Sequence, residues 1–406
     1  MEKIQHRVKT AVILAPDEKG LLPIFGISSI RRLVMLILRI GVQRIYVIGH
    51  VNPLRPIISE LLSPDSFHAL EDPKLLDQVL NSLTLPGEEN VLVLRANHVI
   101  DQYSLTRLIE VGKGLNLYFM EATGKRGTDG IYLSSPADIP SLTHALWSPD
   151  PSRLEILGKA QYVQGASGLP YSIDRGEDQR EISEGKLVAA LAFQTSERDG
   201  FFARHLDRRL SRLLSRRLAH TRVTPNQITL FGAAVGLIGA FFLSRPGYWS
   251  HLIGSLLFLF FVVMDGVDGE ISRLRLQDSQ FGYYLDMITD NIVNVAIFSG
   301  IAFGLYHDTA DGMYLKVLLF LIGGFGLCAI SVYYNILTRS EEELKHSPKV
   351  KRFMTLLTNS DFAYLIVVLA LIGRLQWFLF GAAAGTYLFA AILWALSLYQ
   401  KRAISR

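Results

Sequence analysis

Four aspartates carry the clearest chemical signal in the chain. Two lie in Asp265-Gly266-Val267-Asp268-Gly269-Glu270-Ile271-Ser272-Arg273 and, after eight residues, two more in Gly282-Tyr283-Tyr284-Leu285-Asp286-Met287-Ile288-Thr289-Asp290. Asp265 and Asp268 are three apart and Asp286 and Asp290 four apart, so on helices each pair projects from one face. If the two helices pack side by side, the four carboxylates meet in one pocket. Like charges gathered in or near a bilayer repel one another and lose hydration. A hard divalent cation, Mg²⁺ or Mn²⁺, removes both objections, because it takes carboxylate oxygens and bridges them to substrate phosphates. Gly269 and Gly282 leave room for a nucleotide or a close helix contact. Arg273 is one turn beyond Gly269, where it could bind a phosphate oxygen. The plain alternative is a set of solvated aspartates at helix ends, which would not require these spacings or the glycines and arginine in register with them.

The elements that must position these groups are apolar. Six blocks stand out at about 227–244, 249–268, 283–305, 314–337, 361–374 and 377–399. Crossing the hydrocarbon takes ~20 residues, so the fifth block is short for a span. The connections near 270–281 and 338–360 carry Arg273, Arg275, Arg339, Lys345, Lys349, Lys351 and Arg352, whereas Tyr306 to Gly312 is mildly acidic. With six spans both termini share a side, and Lys401-Arg402 agrees. The positive-inside rule then puts the N-terminal domain, the basic loops and the carboxylates in the cytoplasm. The expected location is the inner (cytoplasmic) membrane. No secretory signal is visible at the N-terminus, and the single cysteine, Cys328, excludes an intramolecular disulfide. A formal net charge of +4 gives no case for a nucleic-acid partner.

Before the first apolar block, Arg204, Arg208, Arg209, Arg212, Arg216, Arg217 and Arg222 alternate with Leu206, Leu210, Leu213, Leu214 and Leu218. Leucines three and four apart predict one apolar stripe on a helix lying in the membrane interface, with its arginines near anionic headgroups. A solvated linker helix is the other reading, and both mark a boundary. The expected domains are 1–198, a 199–223 juxtamembrane helix and 224–406. The first domain reads as α/β: Ala11 to Ala15, Arg44 to Gly49, Val91 to Leu94 and Leu115 to Met120 are strand candidates, with a helix from about Ile27 to Ile40. Strands alternating with helices predict a mostly parallel sheet covered on both faces.

The segment Asp265 to Asp290 resembles the CDP-alcohol phosphotransferase signature, D-x2-D-G-x2-A-R, about eight residues, then G-x3-D-x3-D. Ser272 departs from it, standing where alanine is usual. Thr224-Pro225-Asn226-Gln227-Ile228-Thr229 resembles the P-N-x-x-T element that opens the first span of that family, and is also a good helix start, with Thr224 as cap and Pro225 in the first turn. The resemblance implies a six-helix membrane domain, usually a homodimer among membrane lipids. It would transfer a substituted phosphoryl group from a CDP-alcohol to an acceptor hydroxyl and release CMP. Carried over by position, Asp265, Asp268 and Asp286 would hold two Mg²⁺ or Mn²⁺ ions. Asp290 would take the acceptor proton and is also a candidate metal ligand. Gly269, Ser272, Arg273, Gly282, Asn226 and Thr229 would line the nucleotide site. Inositol phosphate or glycerol phosphate would suit the basic loop as acceptor. A transporter or cation-binding membrane protein using the same carboxylates is the alternative, though the chain shows no inverted repeat.

The N-terminal segment resembles the nucleotidyltransferase (Rossmann-like) fold, and the whole arrangement is similar to bifunctional inositol-phosphate cytidylyltransferase/di-inositol-phosphate phosphate synthases. Its loop, Ala15-Pro16-Asp17-Glu18-Lys19-Gly20, carries two acids and one glycine where a triphosphate would sit. Asn97, in Ala96-Asn97-His98, is neutral where a metal-binding acid would be needed. The expectation is a degenerate domain that does not make the donor, with Lys19 an ordinary surface lysine.

Overall fold

A computed structural model describes residues 8–71, 90–112, 118–120, 130–147, 160–164, 169–173, 177–196, 208–334 and 362–404. The chain forms two compact units, Met1–Thr195 with Leu274–Leu276, and Ser196–Arg273 with Gln277–Arg406.

The N-terminal unit is α/β. Its principal elements are β1 (Thr10–Ala15), α1 (Ser29–Arg39), β2 (Arg44–Gly49), β3 (Phe67–Leu70), β4 (Val91–Arg95), α2 (Gln102–Val111), β5 (Tyr118–Met120), β6 (Ile131–Ser134), α3 (Ile139–Trp147), β7 (Gln161–Tyr162) and α4 (Glu177–Ser196). The sheet runs β7-β5-β6-β4-β1-β2-β3. Every residue of β1 is buried, as a continuous apolar run in the middle of a parallel sheet demands. Alternation along the strands sends Ala11, Ile13, Ile45 and Val47 toward Leu33, Val34 and Ile37 of α1. The intervening Val12, Leu14, Tyr46 and Ile48 go to the opposite face, which includes Ile139, Leu142 and Leu146 of α3. The two-sided cover expected of the sequence is therefore present. β1 pairs in parallel with β2 and β4, and β2 with β3, but β6 runs antiparallel to β4 and β5. The sheet is thus mixed around β6, a four-residue strand too short to announce itself by alternation. Of the predicted strand 115–120, residues 115–117 lie outside the described residues.

The C-terminal unit is helical: α5 (Arg208–Leu218), α6 (Pro225–Leu243), α7 (Tyr248–Arg275), α8 (Gln280–Thr309), α9 (Met313–Val332), α10 (Phe362–Leu371) and α11 (Leu375–Ile404). Five of these, α6 to α9 and α11, are long and apolar enough to cross a membrane, and the chain is a multi-pass membrane protein. The fifth predicted block is described only from Phe362, as the ten-residue α10. The basic residues Arg339, Lys345, Lys349, Lys351 and Arg352 lie outside the described residues.

Length explains where the carboxylates sit. Asp265 is roughly 26 Å along α7 from Tyr248, close to a hydrocarbon thickness, and the rest of the helix continues beyond. Asp265 stands ten residues before Arg275, where α7 ends, and Asp290 stands ten after Gln280, where α8 begins. In an antiparallel hairpin these two positions are level. At the opposite end, α8 lies backbone to backbone on α6. A Cβ on Gly300 would come 2.5 Å from the Ala240 carbonyl oxygen, and one on Gly304 would come 2.0 Å from that of Leu243. Replacing Gly300 by Leu forces the two helices apart. Overpacking of this kind costs about 1–3 kcal/mol, so a lowered thermal midpoint of the purified protein in detergent is the expected outcome.

The N-terminal unit also contains a buried histidine. His98 is 1% exposed, and its Nδ1 accepts from the Arg95 amide at 3.1 Å. Burial, helped by the Arg95 charge, holds its pKa down to about 3. The unfolded chain, at the ordinary value near 6.5, therefore binds the proton first as pH falls. Stability from the neutral ring is fully present above pH ~6.5 and is lost progressively toward pH ~3. Between pH 7 and pH 5 this amounts to about 2 kcal/mol. Hydrogen-exchange protection of β4, corrected for intrinsic rates, should fall by that amount and fall much less in His98→Phe.

Candidate active site

The first contributor is the start of α6. Thr224 and Gln227 form a reciprocal capping box, with Pro225 in the first turn. This fixes Asn226 and Thr229 at the mouth of the helix. The Thr229 hydroxyl bonds the Asp268 carboxylate across to α7, and it also lies 3.2 Å from the Pro225 carbonyl oxygen. Asp268 is 5% exposed, so this hydroxyl satisfies a carboxylate with little access to water.

The second contributor is the α7–α8 hairpin. Ser279 caps α8, accepting from the Gly282 amide at 3.0 Å. A Cβ on Gly282 would meet Asn226 Oδ1 at 3.0 Å and Ser279 Oγ at 3.2 Å. The glycine thus lets the cap and Asn226 close over the same point. Beyond it, Asp286 and Asp290 face back toward Asp265: one oxygen from each of the three carboxylates lies within 4.8 Å of the others. All three residues are half-buried. Asp286 Oδ1 is buried and has no hydrogen-bond partner among the described residues.

The residues fit a hard divalent cation. Three carboxylate oxygens converge, and one oxygen of Asp286 is shut from water without a hydrogen-bond partner among the described residues. An all-oxygen donor set suits Mg²⁺ or Mn²⁺. Asp268 stands outside this trio. One turn farther along α7, its carboxylate is held by Thr229. Thr229 is accordingly a partner of that carboxylate, a contact that the sequence reading did not include. Arg273 folds back over Gly269, its guanidinium 3.4–3.5 Å from where a Cβ would be. Ser272, seven residues from Asp265 and so nearly two turns on, shares its face.

One contact was not foreseen. Ser211 of α5, fully buried, donates to Glu270 Oε1 at 2.9 Å, and Glu270 is itself 5% exposed. A Cβ on Gly266 would touch Ser211 Cβ at 3.4 Å. The arginine-rich helix therefore docks through small residues, Ser211 and Ser215, and through Leu214 and Leu218, against the helix that bears Asp265. Of its leucines, Leu210 and Leu213 stay 47% and 56% exposed. The repeat of small residues four apart was the available signal, obscured by the more conspicuous leucines.

Residues 222–398 match the family model described as CDP-alcohol phosphatidyltransferase. The C-terminal unit carries a CDP-alcohol phosphatidyltransferase domain. Over 149 residues the chain is 34% identical to a bifunctional IPC transferase and DIPP synthase from Archaeoglobus fulgidus, covering 37% of this chain and 28% of that one. Over 103 residues it is 34% identical to a phosphatidylinositol phosphate synthase from Mycolicibacterium smegmatis, covering 24% of this chain and 45% of that one. The matches thus span less than half of either relative's length. Among solved structures, a 4-diphosphocytidyl-2C-methyl-D-erythritol synthase covers 45% of this chain and 99% of its own at 16% identity and a TM-score of 0.34. None of these findings supports a transporter.

In the phosphatidyltransferase domain the trio makes a direct test possible. Asp286→Ala removes the unpartnered oxygen, and the affinity for Mn²⁺, read by electron paramagnetic resonance of the free ion, should fall at least about tenfold, the scale of one lost charged contact.

Proposed function

We propose that the chain transfers a substituted phosphoryl group from a CDP-alcohol to an acceptor hydroxyl, releasing CMP. The observation that carries this reading is the meeting of Asp265, Asp286 and Asp290 from two neighbouring helices, inside a segment matching the CDP-alcohol phosphatidyltransferase family. Asp265 and Asp286 would hold the divalent ion, Mg²⁺ or Mn²⁺, with Asp268 available to a second ion. A bound divalent ion would neutralise the diphosphate and the charge that develops on its oxygens during transfer.

The chain's own residues do the rest. Asp290 takes the proton of the acceptor hydroxyl, whose oxygen bonds to the phosphorus bearing the alcohol. The bond from that phosphorus to the bridging oxygen breaks, and CMP leaves with the electron pair. Gly269, Ser272, Gly282 and Asn226 border the space for the cytidine nucleotide, and Arg273 supplies a guanidinium for phosphate oxygens. Thr229 fixes the rotamer of Asp268.

The donor in this reading is CDP-diacylglycerol or a soluble CDP-polyol, and the acceptor inositol phosphate or glycerol phosphate. The phosphatidylinositol phosphate synthases among the relatives favour the former of each pair. The domain division 1–198, 199–223 and 224–406, a homodimer in the inner membrane and a cytoplasmic active site complete the proposal. The N-terminal unit would not make the donor. In support, Asn97 donates its side-chain amide to the Ile173 carbonyl oxygen at 3.0 Å, and Lys19 pairs with Asp17 at 3.3 Å.

The test is CMP release from radiolabelled CDP-diacylglycerol or CDP-inositol by the purified protein with Mg²⁺ and a panel of hydroxyl acceptors. Asp290→Asn should lower turnover by about 10²- to 10⁴-fold, the range for loss of a general base, while leaving nucleotide binding nearly intact. Near-normal turnover in Asp290→Asn refutes the base assignment, and failure to turn over any CDP-alcohol refutes the reading itself.

A further inference from the structure

The N-terminal unit contains a second constellation, remote from the degenerate loop. A cavity of about 590 Å³ opens beside the edge of the sheet and is lined in part by Arg44, Tyr46, Arg55, Ser59, Ser63 and His68. Arg44 is the first residue of β2, while Ala15 and Gly49 lie at the far ends of the parallel pair β1 and β2, in register with each other. Arg44 is thus at the opposite end of β2 from the Ala15–Gly20 loop, roughly 17 Å away along the strand, while the cavity runs beside β3 as far as Leu70, in register with Ile48.

Its charge is one-sided. Two guanidinium groups and an imidazole line it, and among the described residues no aspartate or glutamate does. Other arginines of this unit are neutralised: Arg31 pairs with Glu60 at 2.7 Å and Arg180 with Glu184 at 3.1 Å. Arg44 and Arg55 have no ion pair among the described residues. Strand register brings Tyr46 opposite His68, and their rings stack at 4.8 Å with planes 20° apart. Tyr46 is 1% exposed and its hydroxyl has no hydrogen-bond partner among the described residues. Burial pushes that phenol above its ordinary pKa, with the Arg44 charge opposing, so at neutral pH it remains a donor without an acceptor. Two arginines without an ion pair among the described residues, lining a hollow beside Tyr46, call for an anion with several acceptor oxygens. A tetrahedral phosphate presents them, and guanidinium forks match its edges. The volume exceeds that of orthophosphate and accommodates a small organic body beside the apolar wall of Leu62, Phe67 and Leu70.

We propose that this cavity, between Arg44, Arg55 and Tyr46, binds the phosphate group of a phosphomonoester. The inference is independent of the transferase reading, since it concerns other residues and its readout is binding.

The test uses the full chain in detergent, stripped of metal with EDTA so that the carboxylate trio holds no phosphate. Inorganic phosphate and a hexose monophosphate are titrated calorimetrically at constant ionic strength. Nanodiscs with and without phosphatidic acid form the parallel arm. Saturable binding is expected, weakened at least about tenfold in the Arg44→Ala/Arg55→Ala double variant and unchanged in Arg31→Ala. Tyr46→Phe removes an unsatisfied hydroxyl, so it should weaken phosphate binding while leaving the thermal midpoint unchanged or raised, a combination that a purely structural tyrosine would not give. Should the double variant fail to fold, Tyr46→Phe and the single Arg→Gln variants carry the test. Binding confined to phosphatidic acid and lost in the arginine variants assigns the site to a lipid headgroup bearing the same phosphomonoester. No saturable binding of any of these probes, or binding equal in wild type and arginine variants, overturns the proposal.

Discussion

Carboxylates brought together near the end of a hydrocarbon span govern the organisation of the C-terminal unit. Separated, each would be hydrated and unremarkable. Together they repel, and burial magnifies the repulsion because little water is present to screen it. The fold answers this in two ways. Asp268 receives the Thr229 hydroxyl from the neighbouring helix, while Asp265, Asp286 and Asp290 are left facing one another with a buried oxygen of Asp286 unmatched. A scaffold that holds like charges in place is prepared for a cation, and the tight contacts elsewhere in the unit serve to keep that preparation rigid.

Those contacts lie at both ends of the same helices. Near the carboxylates, the capping box of Thr224 and Gln227 and the Ser279 cap set where α6 and α8 begin, and Gly282 allows the two caps to approach. At the other end, Gly300 and Gly304 let α8 press against the carbonyl oxygens of α6. Between them the helices have little freedom to slide. The docking of α5 through Ser211 onto Glu270 braces α7 from a further side, next to the very turn that carries Asp265 and Asp268.

Much of this was legible in the sequence. The aspartate spacing and the apolar blocks brought out the carboxylate cluster and the apolar helices, because helical periodicity and membrane thickness are strong, local constraints. In the N-terminal unit β1, β2 and β4 announced themselves as unbroken apolar runs. What stayed hidden depends on partners distant in the chain. Nothing local distinguishes the Thr229 hydroxyl as a companion of Asp268 from one facing a nucleotide. The docking face of α5 was masked because leucines attract the eye and serines do not. β6 is four residues long and joins the sheet only through its neighbours, and the pairing of Tyr46 with His68 is a matter of strand register.

The hairpin between α7 and α8 has an evolutionary corollary. Asp265 and Asp290 are level only because equal counts of residues separate each from the turn. Inserting one residue between Asp265 and Arg275 would swing that side chain by about 100° and displace it by about 1.5 Å, pointing it away from its counterparts. Substitutions around these positions can be absorbed one at a time, but a change of length within either arm cannot. This stretch should therefore drift in composition while its spacing stays frozen, and the tolerance for added or lost residues should be confined to the short turn itself.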